Sequence, residues 1–207
     1  MFTFQVPVGI SNRHIHLTQE HIEILFGSGF ELTVYKPLSQ PGQFAAEEKV
    51  DLIGPKGSIT GVRVLGPARK ESQVELSFTD TFKVGISASV RDSGDLHDTP
   101  GIVIVGPKGE VKLERGVIVA GRHIHMSEAE AKEYHVKDRD RVQVMLPGER
   151  GGIMDEVLIR VSKDFRLDFH IDTDEGNAFE LKNGQIVNVR VSNDSEVKSR
   201  ELVGTGV

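Results

Sequence analysis

The 207-residue chain contains no cysteine, no tryptophan and no unbroken apolar run of membrane-spanning length. The lack of cysteine excludes a disulfide framework, an iron–sulfur cluster and a thiolate zinc finger, so any metal must be held by histidine and carboxylate. The lack of about 18 consecutive apolar residues excludes a spanning helix. Residues 1–10 show no basic start, apolar stretch and small-residue cleavage site, so no secretory signal is read and the cytoplasm is the expected location. Excess positive charge is missing as well. With 25 Lys and Arg against 31 Asp and Glu, the net charge of −6 argues against a nucleic-acid partner drawn in by a basic field.

What the chain does have is a repeat. Val8-Gly9-Ile10-Ser11-Asn12-Arg13-His14-Ile15-His16-Leu17-Thr18 returns 109 positions later as Val117-Ile118-Val119-Ala120-Gly121-Arg122-His123-Ile124-His125-Met126-Ser127, in a chain with only eight histidines. Two related halves, 1–112 and 113–207, are expected, with exchange of strands between them left open. A weaker echo relates Lys137–Val144 to Lys182–Val189, each a polar turn entering an alternating strand. Gly54-Pro55-Lys56-Gly57 and Gly106-Pro107-Lys108-Gly109 read as hairpin tips.

Apolar alternation marks strands near 31–35, 49–53, 58–65, 73–78, 102–105, 111–119, 142–146, 156–162, 167–171 and 185–191. Thr18 caps a helix reaching Phe26, with Ile22, Leu25 and Phe26 on one face and Gly27 past its end. Ser127 with Glu130 forms a capping box for its counterpart. The expected fold class is mainly β with short helices: two related β-barrel domains, each capped by small helices. Residues 192–207 have little apolar content and read as a weakly packed tail.

On a strand, side chains alternate, so His14 and His16 share one face, as do His123 and His125, while Ile15 and Ile124 face the other way. Two imidazoles on one face can converge on a metal ion, and an open catalytic site needs a third ligand. In Leu167-Asp168-Phe169-His170-Ile171-Asp172 the apolar residues alternate, so His170 lies on the polar face between Asp168 and Asp172, either of which could instead orient an imidazole. For the first half, Glu47, Glu48, Glu75 and Asp80 are all carboxylate candidates. His21 and His135 read as structural, and His97 as part of a turn-rich loop. Arg69 and Arg160 suit an anionic substrate through bidentate hydrogen bonds.

The segments Ser11–Leu17, Pro41–Glu48, Leu65–Arg69, Gln73–Glu75, Gly121–Met126 and Phe169–Ala178 together resemble the PduL-type phosphate acyltransferases (phosphate propanoyltransferases), in order over about 8–191. The resemblance implies reversible transfer of a propanoyl or acetyl group between coenzyme A and inorganic phosphate, with two zinc ions between two β-barrel domains. Carried over by position, it assigns His14, His16 and Glu75 to one zinc and His123, His125 and His170 to the other. It makes Arg69 the catalytic phosphate-holding arginine, with Gln40, Gln43, Gln73, Ser93 and Arg160 around the pocket. A homodimer is expected, with acyl-CoA and phosphate as small-molecule partners and neither nucleic acid nor membrane. Relatives in bacterial microcompartments carry an amphipathic N-terminal extension. Here thirteen residues precede His14 and read as a strand, so a cytoplasmic enzyme without shell association is expected. The alternative from the ligands alone is a zinc-dependent hydrolase, which would activate water instead.

Overall fold

A computed structural model describes residues 2–191; the tail expected at 192–207 lies outside them. In chain order the elements of the first part are β1 (Phe2–Ser11), β2 (His14–His16), α1 (Gln19–Phe26), β3 (Val34–Pro37), β4 (Phe44–Ile53), β5 (Ser58–Gly66), β6 (Gln73–Glu75), α2 (Phe78–Val84) and β7 (Val90–Arg91). There follow β8 (Ile102–Val105), β9 (Glu110–Leu113), β10 (Val117–Ala120), β11 (His123–Met126), α3 (Glu128–Glu133), β12 (Arg141–Leu146), β13 (Gly152–Val161), β14 (Asp168–Asp172), α4 (Thr173–Ala178) and β15 (Ile186–Val191). The chain is mainly β with short helices, and no helix among the described residues is long and apolar enough to cross a membrane.

Two compact units form, and they do not follow a division at 112/113. One contains residues 2–10, 122–171 and 175–191; the other contains 11–121 and 172–174. The reason is strand pairing. β1 pairs antiparallel with β15, Phe4 opposite Val189 and Val6 opposite Val187, which completes a closed barrel in the order β1-β14-β11-β13-β12-β15. β10, the counterpart of the end of β1 in the repeat, instead pairs in parallel with β6 and β7. It joins a nine-stranded curled sheet, a half-barrel in which β2 lies between β5 and β6. Each half of the repeat thus gives up the strand preceding its His-x-His. Apolar residues that alternate inward fill each core: Ile15, Leu17, Val62, Val64, Val74 and Ile104 in the curled sheet, and Val6, Ile124, Met126, Val144, Ile159 and Phe169 in the barrel.

Local signals explain most element ends. Thr18 Oγ1 accepts the His21 N–H at 3.1 Å, and Ile22, Leu25 and Phe26 are buried. The Ser127–Glu130 capping box forms in full. Both Gly-Pro-Lys-Gly segments are hairpin tips, joining β4 to β5 and β8 to β9. Each tip also docks on a helix end: the Lys56 N–H donates to the Val84 carbonyl and the Lys108 N–H to the Leu25 carbonyl. These are terminal helix carbonyls that lack intrahelical partners. A Cβ at Gly54 would come within 2.3 Å of the Val84 oxygen, and one at Gly106 within 2.6 Å of the Leu25 oxygen, which accounts for glycine at both tips.

The strand read at 31–35 spans Val34–Pro37, the one at 49–53 begins at Phe44, and two further departures have a local cause. The run 73–78 ends at Glu75, because Ser77 caps α2 (its Oγ accepts the Asp80 N–H at 3.3 Å) and Gly85 closes it in the left-handed region. The run 111–119 is two strands, broken at Gly116, whose φ is 121°.

Candidate active site

The two His-x-His strands are each braced by an antiparallel neighbour. In the curled sheet, His14 lies opposite Glu75, Ile15 opposite Val74 and His16 opposite Gln73. In the barrel, His123 lies opposite His170, Ile124 opposite Phe169 and His125 opposite Asp168. The middle pair of each ladder is buried in the core, so the flanking four side chains are driven to the opposite face together. His14, His16 and Glu75 thereby bring their donor atoms within 4.8 Å of one another, and so do His123, His125 and His170. All four His-x-His imidazoles are buried.

In the first cluster, Glu75 Oε2 lies 3.3 Å from His14 Nε2, while His14 Nδ1 is 2.8 Å from the Asn12 carbonyl and 3.2 Å from Ser11 Oγ. Burial pushes the Glu75 carboxyl up, but the His14 charge and hydrogen bond, then His16 and Arg69, hold it well below the usual carboxylate range. Burial also disfavours charge on His14, yet Glu75 and the Asn12 carbonyl outweigh it and raise that imidazole. On His16 the Glu75 charge and a hydrogen bond to the Leu65 backbone act in the same direction but are outweighed. Burial, then the His14 and Arg69 charges, push it down to about 3.

A polar chain runs outward from this cluster. Gln73 Nε2 donates to Glu75 Oε1 at 2.5 Å and to Ser93 Oγ at 2.9 Å, and Gln73 Oε1 accepts the Gly94 N–H at 2.8 Å. Arg69 Nη1 donates to Ser93 Oγ at 3.3 Å, and its backbone N–H is tied to the Leu17 carbonyl. Arg69 also lines a cleft of about 280 Å³ with Pro41, Gly42, Gln43, Gly66 and Pro67. Gln40 is buried at the edge of this loop, its carbonyl accepting the Gln43 N–H. Arg69, Gln40, Gln43, Gln73 and Ser93 are thus all in the unit of the first cluster. Arg160 is in the other, in register with His125 on β13 and with its guanidinium 5.8 Å from the Phe165 ring centre.

The second cluster is an all-imidazole group, with ring centres of His123, His125 and His170 separated by 4.6–5.2 Å. Phe165 covers His125 at 4.3 Å. His170 Nε2 lies 2.8 Å from Asp168 Oδ2.

Other candidates from the sequence lie elsewhere. Asp80 is ion-paired to Arg13 at 2.8 Å, Glu48 accepts the Thr33 N–H, and Glu47 belongs to neither donor group. His21 bonds Ser72 Oγ, His135 packs on Phe2, and His97 is exposed beside Asp98. Sequence reading missed a duplicated brace. Arg13 pairs with Asp80 on α2, and Arg122 pairs with Glu175 on α4 at 3.2 Å. Each arginine directly precedes a His-x-His, and each acid occupies the third position of the helix that follows the facing strand. The matching Arg in both copies of the repeat was the available signal.

Both donor sets fit a borderline cation of the zinc type: imidazole nitrogen and carboxylate oxygen only, with three protein donors each.

A sequence model of the phosphate propanoyltransferase family matches residues 7–182. A phosphate propanoyltransferase of Thermotoga maritima is 58% identical over 183 residues, covering 88% of this chain and 87% of the relative. One from Rhodopseudomonas palustris is 53% identical, covering 90% and 82%, and one from Listeria monocytogenes is 48% identical, covering 86% and 84%. Matched along most of its length by both the family and these relatives, the chain belongs to the phosphate propanoyltransferases, a family of acyltransferases.

Proposed function

We propose that this enzyme reversibly transfers a short acyl group, propanoyl or acetyl, between coenzyme A and inorganic phosphate by direct attack of phosphate on the thioester. A phosphate oxygen bonds to the carbonyl carbon, the carbon–sulfur bond breaks, and the departing thiolate takes the proton that phosphate gives up. The chain has no cysteine to carry an acyl group, which favours the direct route. Its substrates are then acyl-CoA and phosphate, as the family name implies.

His14, His16 and Glu75 would hold one zinc ion, and His123, His125 and His170 a second. Zinc bound there supplies Lewis acidity toward oxyanions and tolerance of a sulfur ligand. The chain's own groups do the rest. Arg69 binds phosphate and offsets the negative charge that grows as oxygen attacks the carbonyl. Ser93 and Gln73 orient the guanidinium, and Gln40 and Gln43 shape the loop around it. Arg160, beside His125, offers an anion contact near the second cluster. We further read the enzyme as a cytoplasmic homodimer, twofold assembly being the commonest closed symmetry.

The observation that carries this reading is the unbroken chain Arg69–Ser93–Gln73–Glu75–His14, which links a guanidinium at a small cleft to a three-donor cluster. The test is to trap the product as a hydroxamate from propanoyl-CoA plus phosphate and to record initial rates against both substrates. Acyl phosphate with intersecting reciprocal plots is expected. Parallel plots with an isolable acyl-enzyme would overturn the direct route, and free acid as sole product would favour a hydrolase.

A further inference from the structure

We propose that Asp168 is the positioning residue of the second cluster, fixing His170 through Nε2, and that Gly9 carries no side chain because this pair fills its space. The inference rests on the metal reading of the cluster given above. Asp168 and His170 are two apart on β14 and so share a face, with Phe169 buried between them on the other. The carboxylate oxygen sits 2.8 Å from Nε2. An ionised carboxylate only accepts, so Nε2 carries the hydrogen and the lone pair of the neutral ring is left on Nδ1. A ligand histidine held in this way has its tautomer and ring orientation set before a metal arrives.

β1 closes around the pair. A Cβ placed on Gly9 would come within 2.9 Å of Asp168 Oδ1 and 2.9 Å of His170 Cδ2. Gly9 has no left-handed backbone requirement, so close approach is what calls for glycine there. The strand contributed from the far end of the sequence thus completes the wall behind His170. In the first cluster the equivalent hold on His14 comes from the Asn12 carbonyl, which bonds Nδ1 at 2.8 Å.

Long-range proton–nitrogen NMR spectra of the metal-free wild-type protein should show His170 as the Nε2–H tautomer; a Nδ1–H tautomer would overturn the proposal without any variant being made. Cobalt titration followed by d–d absorption then compares wild type with Asp168→Asn and Gly9→Ala. Wild type should take two equivalents. Both variants should lose about 10–100-fold in affinity for one equivalent, with the other unchanged. Unchanged affinity in both variants would overturn the proposal alone. A wild type that binds no cobalt would instead remove the metal reading on which it stands.

Discussion

The two clusters use one architecture and distribute one carboxylate differently. In each, an X-apolar-X strand faces a second one in antiparallel register, presenting four polar side chains on one side. The first has His14, His16, Gln73 and Glu75; the second has His123, His125, Asp168 and His170. Glu75 is itself in the donor group, whereas Asp168 stands behind a donor. The first cluster thereby carries a carboxylate among its donors and connects through Gln73 and Ser93 to Arg69. The second presents three imidazoles, with its carboxylate kept outside. One duplicated scaffold thus supplies two chemically distinct donor groups by moving an acid two residues along the facing strand.

The largest expected effects come from breaking either cluster. His123→Ala should lose one metal equivalent and more than about 100-fold in turnover while far-UV circular dichroism is retained; metal content by emission spectroscopy checks it, and global unfolding would instead mark a structural metal. Arg69→Ala, which touches only the first cluster's side of the comparison, should raise the KM for phosphate and slow turnover by about 100-fold with both metals kept. Unchanged phosphate kinetics would remove Arg69 from its assigned role.

A pH experiment on metal-free protein separates the clusters further. His16 is held near 3 when folded but is free to protonate near 6.5 when unfolded, so the unfolded state binds more protons between these values. Its contribution is fully present above pH 6.5 and is lost as pH falls, by roughly 3–5 kcal/mol at most. Denaturant midpoints should decline with acidification from pH 6.5, and His16→Gln should flatten that decline. Glu75, held below its usual range, adds a second loss only below about pH 4.5.

The smallest effects concern the braces. Arg13→Ala removes the ion-pair partner of Asp80, whose side chain is 5% exposed, while Arg122→Ala removes one partner of Glu175, at 27%. The first should cost about 1–2 kcal/mol and the second under about 1. Urea melts of the two variants and of Asp80→Asn and Glu175→Gln test the ranking.

Much of this was legible in the sequence because it is local. The spacing His-x-His fixes two side chains on one face, and alternation through Leu167, Phe169 and Ile171 places His170 on the polar face. Partner choice was not legible. Nothing in Phe2–Ser11 says that it pairs with Ile186–Val191, since alternation specifies a face and not a neighbour. Spacing likewise left Glu47, Glu48, Glu75 and Asp80 all open; the family resemblance singled out Glu75, and the structure sets it opposite His14 while Asp80 pairs with Arg13. Helix α2 was hidden because Leu76-Ser77-Phe78 continues the strand pattern, although Ser77 with Asp80 is a readable cap.

The most direct test of the account is thiol release from propanoyl-CoA by purified, metal-counted enzyme with and without phosphate. Release that requires phosphate is expected, together with about two metal ions per chain. Equal release in the absence of phosphate would contradict it.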